Sequence, residues 1–228
     1  MNRTIHPEAL PAKSREVRIP CGDVWLDGDL TVPDGAQGIV LFAHGSGSSR
    51  RSSRNRFVAE QMNGVGLGTL LFDLLTPGEA EAEAYTGELR FNIPFLAGRL
   101  RDATRWVRKD PDASLEDLRI GYFGSSTGAA AALASATDDP AIGAVVSRGG
   151  RTDLAGTEVE KVRAATLLIV GGLDYPVIRW NQETYDRLSC EKRISIVEGA
   201  SHLFEEPGTL EKVAELAASW FNHHLNPS

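Results

Sequence analysis

Residues 118–132, LRIGYFGSSTGAAAA, constrain the fold more than any other stretch, because they read in one pass as a buried strand, a sharp turn and a close-packed helix. Ile120, Tyr122 and Phe123 are strand formers, and the alanine run ending in Leu133 has the small side chains that let a helix lie tight against a sheet. Between them, Gly124-Ser125-Ser126-Thr127-Gly128 fits G-x-S-x-G, and strand–turn–helix is the context that makes this motif a nucleophile elbow. The register makes Ser126 the nucleophile and Ser125 a small spacer. The Thr127 amide then opens the helix and points at a developing oxyanion. An ordinary Ser/Gly-rich turn is the alternative, so the motif needs partners downstream.

The flanking segments set the frame. Residues 1–13 read as a loose arm, 17–19 and 24–32 as antiparallel strands, and 38–43 as an unbroken apolar strand buried on both faces. A helix is expected over 53–62, a strand over 68–72 and an acidic loop over 74–88, with Asn92 capping a helix that runs to Pro111. After the elbow come strands at 141–146, 165–170 and 192–197, with helices at 153–162 and 176–188 and a last amphipathic helix ending near His224. This order predicts an α/β fold: a mostly parallel sheet of about 7–8 strands with helices on both faces and ligands at the strands' carboxyl ends. The 228 residues suit a single domain, and the short link from Val146 to Ala165 leaves no room for a separate cap domain.

Two strand ends carry candidate partners. Residues 166–170 run into Gly171-Gly172-Leu173-Asp174, and 194–197 into Glu198-Gly199-Ala200-Ser201-His202. Alone, a loop aspartate is a turn former and a loop histidine is surface decoration. Together they give Ser126, Asp174 and His202 in the order of an α/β-hydrolase triad, in which His takes the serine proton and Asp fixes its tautomer. His44-Gly45-Ser46-Gly47 follows the third strand, where this fold takes its second oxyanion donor, so Ser46 and Thr127 form the candidate oxyanion hole and His44 is structural. A flexible polar turn is the alternative for that loop.

With those residues in place, the chain resembles a single-domain α/β hydrolase of the dienelactone-hydrolase-like group, through AHGSGSSR, GYFGSSTGAAAAL, VVSRGGRTDLAG, LLIVGGLD and GASHLFEEPGTLE. The resemblance spans nearly the whole chain and implies a cofactor-independent serine hydrolase. Dienelactone hydrolases proper carry Cys in G-x-C-x-G, so their lactone substrate does not transfer to a chain with Ser126. Ser125 and Asn92 also stand where relatives carry Ala and Asp. The activity expected is carboxylic-ester cleavage through an acyl-enzyme. Acyl transfer or peptide hydrolysis on the same triad, and a non-catalytic ligand-binding protein, are the alternatives.

Arg148 lies at a strand end, where it can grip a substrate carboxylate or pair internally with Asp153; Tyr175 and Phe204 flank the triad loops and wall a pocket or simply pack. Arg50, Arg51, Arg54 and Arg56 read as a solvated helix face, and Glu205 and Glu206 as caps of the last helix. A formal charge of −7 argues against nucleic acid as a partner, and no apolar run suits a signal peptide or membrane span, so a cytoplasmic protein acting on a small-molecule ester is expected. Cys21 and Cys190 have no metal spacing and read as reduced structural thiols; no metal or cofactor is expected, and no oligomeric state is indicated.

Overall fold

The computed structural model describes residues 12–109 and 115–226. Its strands are β1 (Ala12–Cys21), β2 (Val24–Pro33), β3 (Gly38–Ala43), β4 (Gly68–Phe72), β5 (Arg119–Ser125), β6 (Ile142–Arg148), β7 (Ala165–Gly171) and β8 (Lys192–Val197). They form one eight-stranded sheet in the order β1-β2-β4-β3-β5-β6-β7-β8, antiparallel at β1–β2 and β2–β4 and parallel from β4 to β8. The helices are α1 (Ser53–Gly64), α2 (Pro77–Thr86), α3 (Ile93–Val107), α4 (Thr127–Thr137), α5 (Tyr175–Arg187) and α6 (Thr209–Leu225), with 3-10 turns at Leu89–Phe91 and Thr152–Lys161. No described helix is long and apolar enough to cross a membrane.

Period-two alternation in β3 sorts the core into two layers. Ile39 and Leu41 join the side chains of α3 and α4 on one face; Val40 and Phe42 join those of α1 and α6 on the other. The α4 alanines bring that helix close to the sheet, and the two elbow glycines make the approach possible. A Cβ on Gly124 would lie 2.4 Å from the Ala129 Cα, and one on Gly128 would lie 2.1 Å from the Ala43 carbonyl oxygen.

The structure corrects several expectations. The arm over 1–13 overlaps β1 at Ala12 and Lys13, and its remainder lies outside the described residues; α3, expected to run to Pro111, ends at Val107 with Arg108 as its C-cap. Residues 74–88 are not a loop throughout, because they contain α2. That helix starts from a capping box: the Thr76 hydroxyl accepts the Glu79 N–H, the Glu79 carboxylate accepts the Thr76 N–H, and Pro77 opens the first turn. Glu205 and Glu206 do not cap α6, whose N-cap is Gly208; Glu205 pairs with Arg54, and the Glu206 carboxylate accepts the Ser201 N–H at 3.0 Å. The four arginines are not one solvated face: Arg51 and Arg56 are exposed, but Arg50 is not. Arg50 is buried among Asp27, Asp29 and Asp73, and Arg56 pairs with Asp29. No cap domain interrupts the link from β6 to β7, which is a 3-10 segment.

Candidate active site

Ser126 joins β5 to α4 with φ 52° and ψ −121°, a left-handed backbone that costs a non-glycine residue about 1–3 kcal/mol. Backbone bonds hold it there. Its N–H donates to the Arg148 carbonyl at 3.2 Å, and its own carbonyl accepts from Ala129 and Arg151 at 3.1 and 3.0 Å. The hydroxyl is thereby turned out at the carboxyl edge of the sheet.

His202, on the loop after β8, places Nε2 3.4 Å from Ser126 Oγ and Nδ1 2.6 Å from Asp174 Oδ2. Asp174 follows β7 at the N-cap position of α5, yet its side chain makes no cap bond and is free for the imidazole. An ionised carboxylate only accepts, so the proton sits on Nδ1 and the Nε2 lone pair faces the serine hydroxyl. The 3.4 Å contact is long for a hydrogen bond, as such contacts are before substrate tightens them. Gly149, at φ 53°, packs against the His202 backbone: a Cβ there would lie 3.2 Å from the His202 carbonyl oxygen.

On the other side of Ser126, Thr127 is the first residue of α4 and Ser46 lies on the loop after β3; their hydroxyls are 3.1 Å apart, tying the two loops together. Gly45 packs against the nucleophile, since a Cβ there would lie 3.0 Å from the Ser126 Cβ. His44 fastens this loop to the end of β4. Its Nε2 accepts the Leu74 N–H at 3.0 Å, which leaves Nδ1 to donate to the Gly45 carbonyl at 2.9 Å, and burial holds its pKa below the ordinary histidine range. His44 is thus a neutral strut.

The three remaining candidates fall outside this constellation. Arg148 is buried beneath the edge, its guanidinium 6.0 Å from the Phe204 ring; its Nε and Nη1 have no hydrogen-bond partner, and Asp153 pairs with Arg151 instead. Burial, and then the Arg54 charge, pull its pKa down to about 10. Phe204 is a core residue, 2% exposed, and Tyr175 is exposed on the first turn of α5. Cys21 stays a thiol, since burial and then Asp102 push it up to about 11. No group of three or more His, Cys, Asp or Glu converges among the described residues as a metal would require.

A cavity of about 260 Å³ opens beside Ser46 and Thr127 and runs between the 44–48 loop and α2. None of Arg148, Tyr175 or Phe204 lines it. Its wall includes Leu75, Ala80 and Ala84, and the ion pair of buried Glu83 with half-buried Arg90. Sequence patterning misses this wall because α2 buries only Glu83 and so shows no apolar stripe. The T-x-x-E box at Thr76 and Glu79 is the signal that could have found it.

No protein-family model matches the chain. A crystal structure of a dienelactone hydrolase from Anabaena variabilis is 53% identical, with a TM-score of 0.91 over 94% of this chain and 99% of that one. Two curated proteins from strains of Mycobacterium tuberculosis, provisionally named as phosphoribosyl transferases, are each 52% identical over 216 residues, 94% of this chain; the chain spans about half of their length, 47%. An esterase from Pyrococcus furiosus, 19% identical over 99% of this chain and 98% of that one, shares the fold with a TM-score of 0.74.

Proposed function

The chain belongs to the dienelactone-hydrolase-like family of α/β hydrolases, and from that premise we propose that it is a serine hydrolase that cleaves carboxylic esters of small molecules. The observation that carries this reading is the line from Asp174 through His202 to a serine held at positive φ. Ser126 Oγ attacks the ester carbonyl while its proton passes to His202 Nε2. Asp174 keeps Nδ1–H directed at itself and stabilises the imidazolium that forms. The Thr127 and Ser46 amides receive the oxyanion. Collapse expels the alcohol, protonated by His202, and leaves an acyl-Ser126 that water hydrolyses with His202 as base.

The phosphoribosyl-transferase name belongs to proteins about twice as long as the segment they share with this chain. The test pairs turnover of p-nitrophenyl butyrate with covalent labelling by a fluorophosphonate. Wild-type protein should do both and Ser126→Ala neither. A labelled Ser126 without ester turnover, but with turnover of a peptide panel or transfer to added amines, would replace the ester reading by peptide hydrolysis or acyl transfer.

A further inference from the structure

We propose that the cavity beside the oxyanion loop receives the acyl part of the substrate, and that this part is short and uncharged; the inference rests on the serine-hydrolase reading above and deepens it. Its basis is the geometry of a tetrahedral intermediate. Of the four bonds at the reacting carbon, one goes to Ser126 Oγ and one to the oxyanion near Thr127 and Ser46. The leaving oxygen must lie within reach of His202 Nε2, because that nitrogen returns the proton. The acyl carbon takes the remaining direction, away from His202.

Sheet order says what lies there. His202 and Asp174 follow β8 and β7, on one side of β5; the 44–48 loop and α2 follow β3 and β4, on the other side. The cavity touches Ser46 and Thr127, the latter next to Ser126 in the chain, but not Ser126 itself, His202, Asp174 or Tyr175. The alcohol therefore leaves on the α5 side, and the acyl chain enters the space against α2.

Volume and wall chemistry limit the chain. About 260 Å³ lies below the roughly 300–1,000 Å³ of sites that enclose a whole drug-sized ligand, and suits one substituent. Leu74, Leu75 and Leu96 are apolar, and Ala80 and Ala84 stand one helical turn apart on α2. The two charges on the wall satisfy each other. The Glu83 carboxylate accepts the N–H groups of Leu89 and Arg90 as well as the Arg90 side-chain Nε, and Arg90 Nη2 donates to the Glu83 carbonyl at 3.0 Å. A carboxylate on the acyl chain would enter beside this closed neutral pair and lose its hydration without gaining an unpaired cation.

The experiment uses Ala84→Phe, an exposed α2 position whose enlargement disturbs no core packing. Two substrate series are compared: p-nitrophenyl acetate, butyrate, octanoate and hemisuccinate, and the methyl, phenyl and naphthyl esters of butyrate. In wild type, kcat/KM should rise by about tenfold or more from acetate to butyrate, by the selectivity that the two added methylenes confer in an apolar pocket. Hemisuccinate should fall at least about tenfold below butyrate. Ala84→Phe should remove the butyrate advantage, keep acetate within about twofold, and leave the ranking of the alcohol series unchanged. Equal losses on acetate and butyrate, an altered alcohol ranking, or hemisuccinate matching butyrate would overturn the assignment. A fluorophosphonate adduct on Ser126 separates these failures from failure of the underlying reading; its absence would overturn both.

Discussion

Gly128→Ala places a single methyl where the elbow meets the oxyanion loop. The new Cβ would sit 2.1 Å from the Ala43 carbonyl oxygen and 2.6 Å from that of His44. Carbon and oxygen in contact need about 3.3 Å, so the first turn of α4 must retreat from the end of β3 by about 1 Å. Over-packing a core costs about 1–3 kcal/mol, and the upper end applies because both obstacles are backbone. At about 2–4 °C per kcal/mol for a chain of this size, melting should fall by about 6–12 °C. The same retreat separates Thr127 from Ser46, whose hydroxyls are 3.1 Å apart, and a misplacement of about 1 Å costs about 10²-fold in rate. Gly98→Ala is the control: its Cβ would meet only the Arg101 Nη2 at 3.8 Å, and removing a glycine from inside α3 should stabilise by up to about 1 kcal/mol. Thermal melts and kcat on p-nitrophenyl butyrate read both variants. A Gly128→Ala protein that melts within about 2 °C of wild type, on the same scale of degrees per kcal/mol, and keeps its rate would refute the close approach of helix and oxyanion loop at the elbow.

Asp174→Asn should keep the fold while lowering kcat by about 10⁴-fold, because an amide can donate to Nδ1 and leave the Nε2 proton facing Ser126; a loss under about tenfold would remove Asp174 from the proton path. Acid should destabilise the protein through His44. Its folded pKa is depressed by burial, so its contribution is complete above the ordinary histidine pKa of about 6.5 and is lost as pH falls below it, at up to about 1.4 kcal/mol per pH unit. His44→Gln, which can both accept from Leu74 and donate to Gly45, should flatten the melting temperature between about pH 6.5 and 5; an unchanged slope would place the acid sensitivity elsewhere.

Legibility in the sequence depends on which residues carry a local signal. The strand from Gly38 to Ala43 is apolar at every position, as a strand covered by helices on both faces must be. Ser126 and Asp174 sit just past the buried strands β5 and β7, and His202 on the loop after the half-exposed edge strand β8, so the topology that gathers strand ends also gathers them. The charged edge is harder. Arg50 looks solvated among Arg51, Arg54 and Arg56, and only the pairing of β2 with β4 brings Asp27, Asp29 and Asp73 around it. Arg148 follows the same rule in reverse: Asp153 is near it in sequence, but the closer Arg151 takes that carboxylate in a two-bond fork. Phe204 resembles a pocket wall because it follows His202 so closely, yet its φ of 56° turns the ring into the layer beneath the site.

Whether Ser126 is the nucleophile of a hydrolytic site is decided by locating a fluorophosphonate adduct, through fragmentation of the peptide that contains both Ser125 and Ser126. The adduct is expected on Ser126, with normal labelling in Ser125→Ala; Ser126→Ala should lose both the label and kcat, the latter by a factor approaching ~10⁶. An adduct on Ser125, or ester turnover that survives Ser126→Ala, would show that the elbow presents a different residue to the substrate.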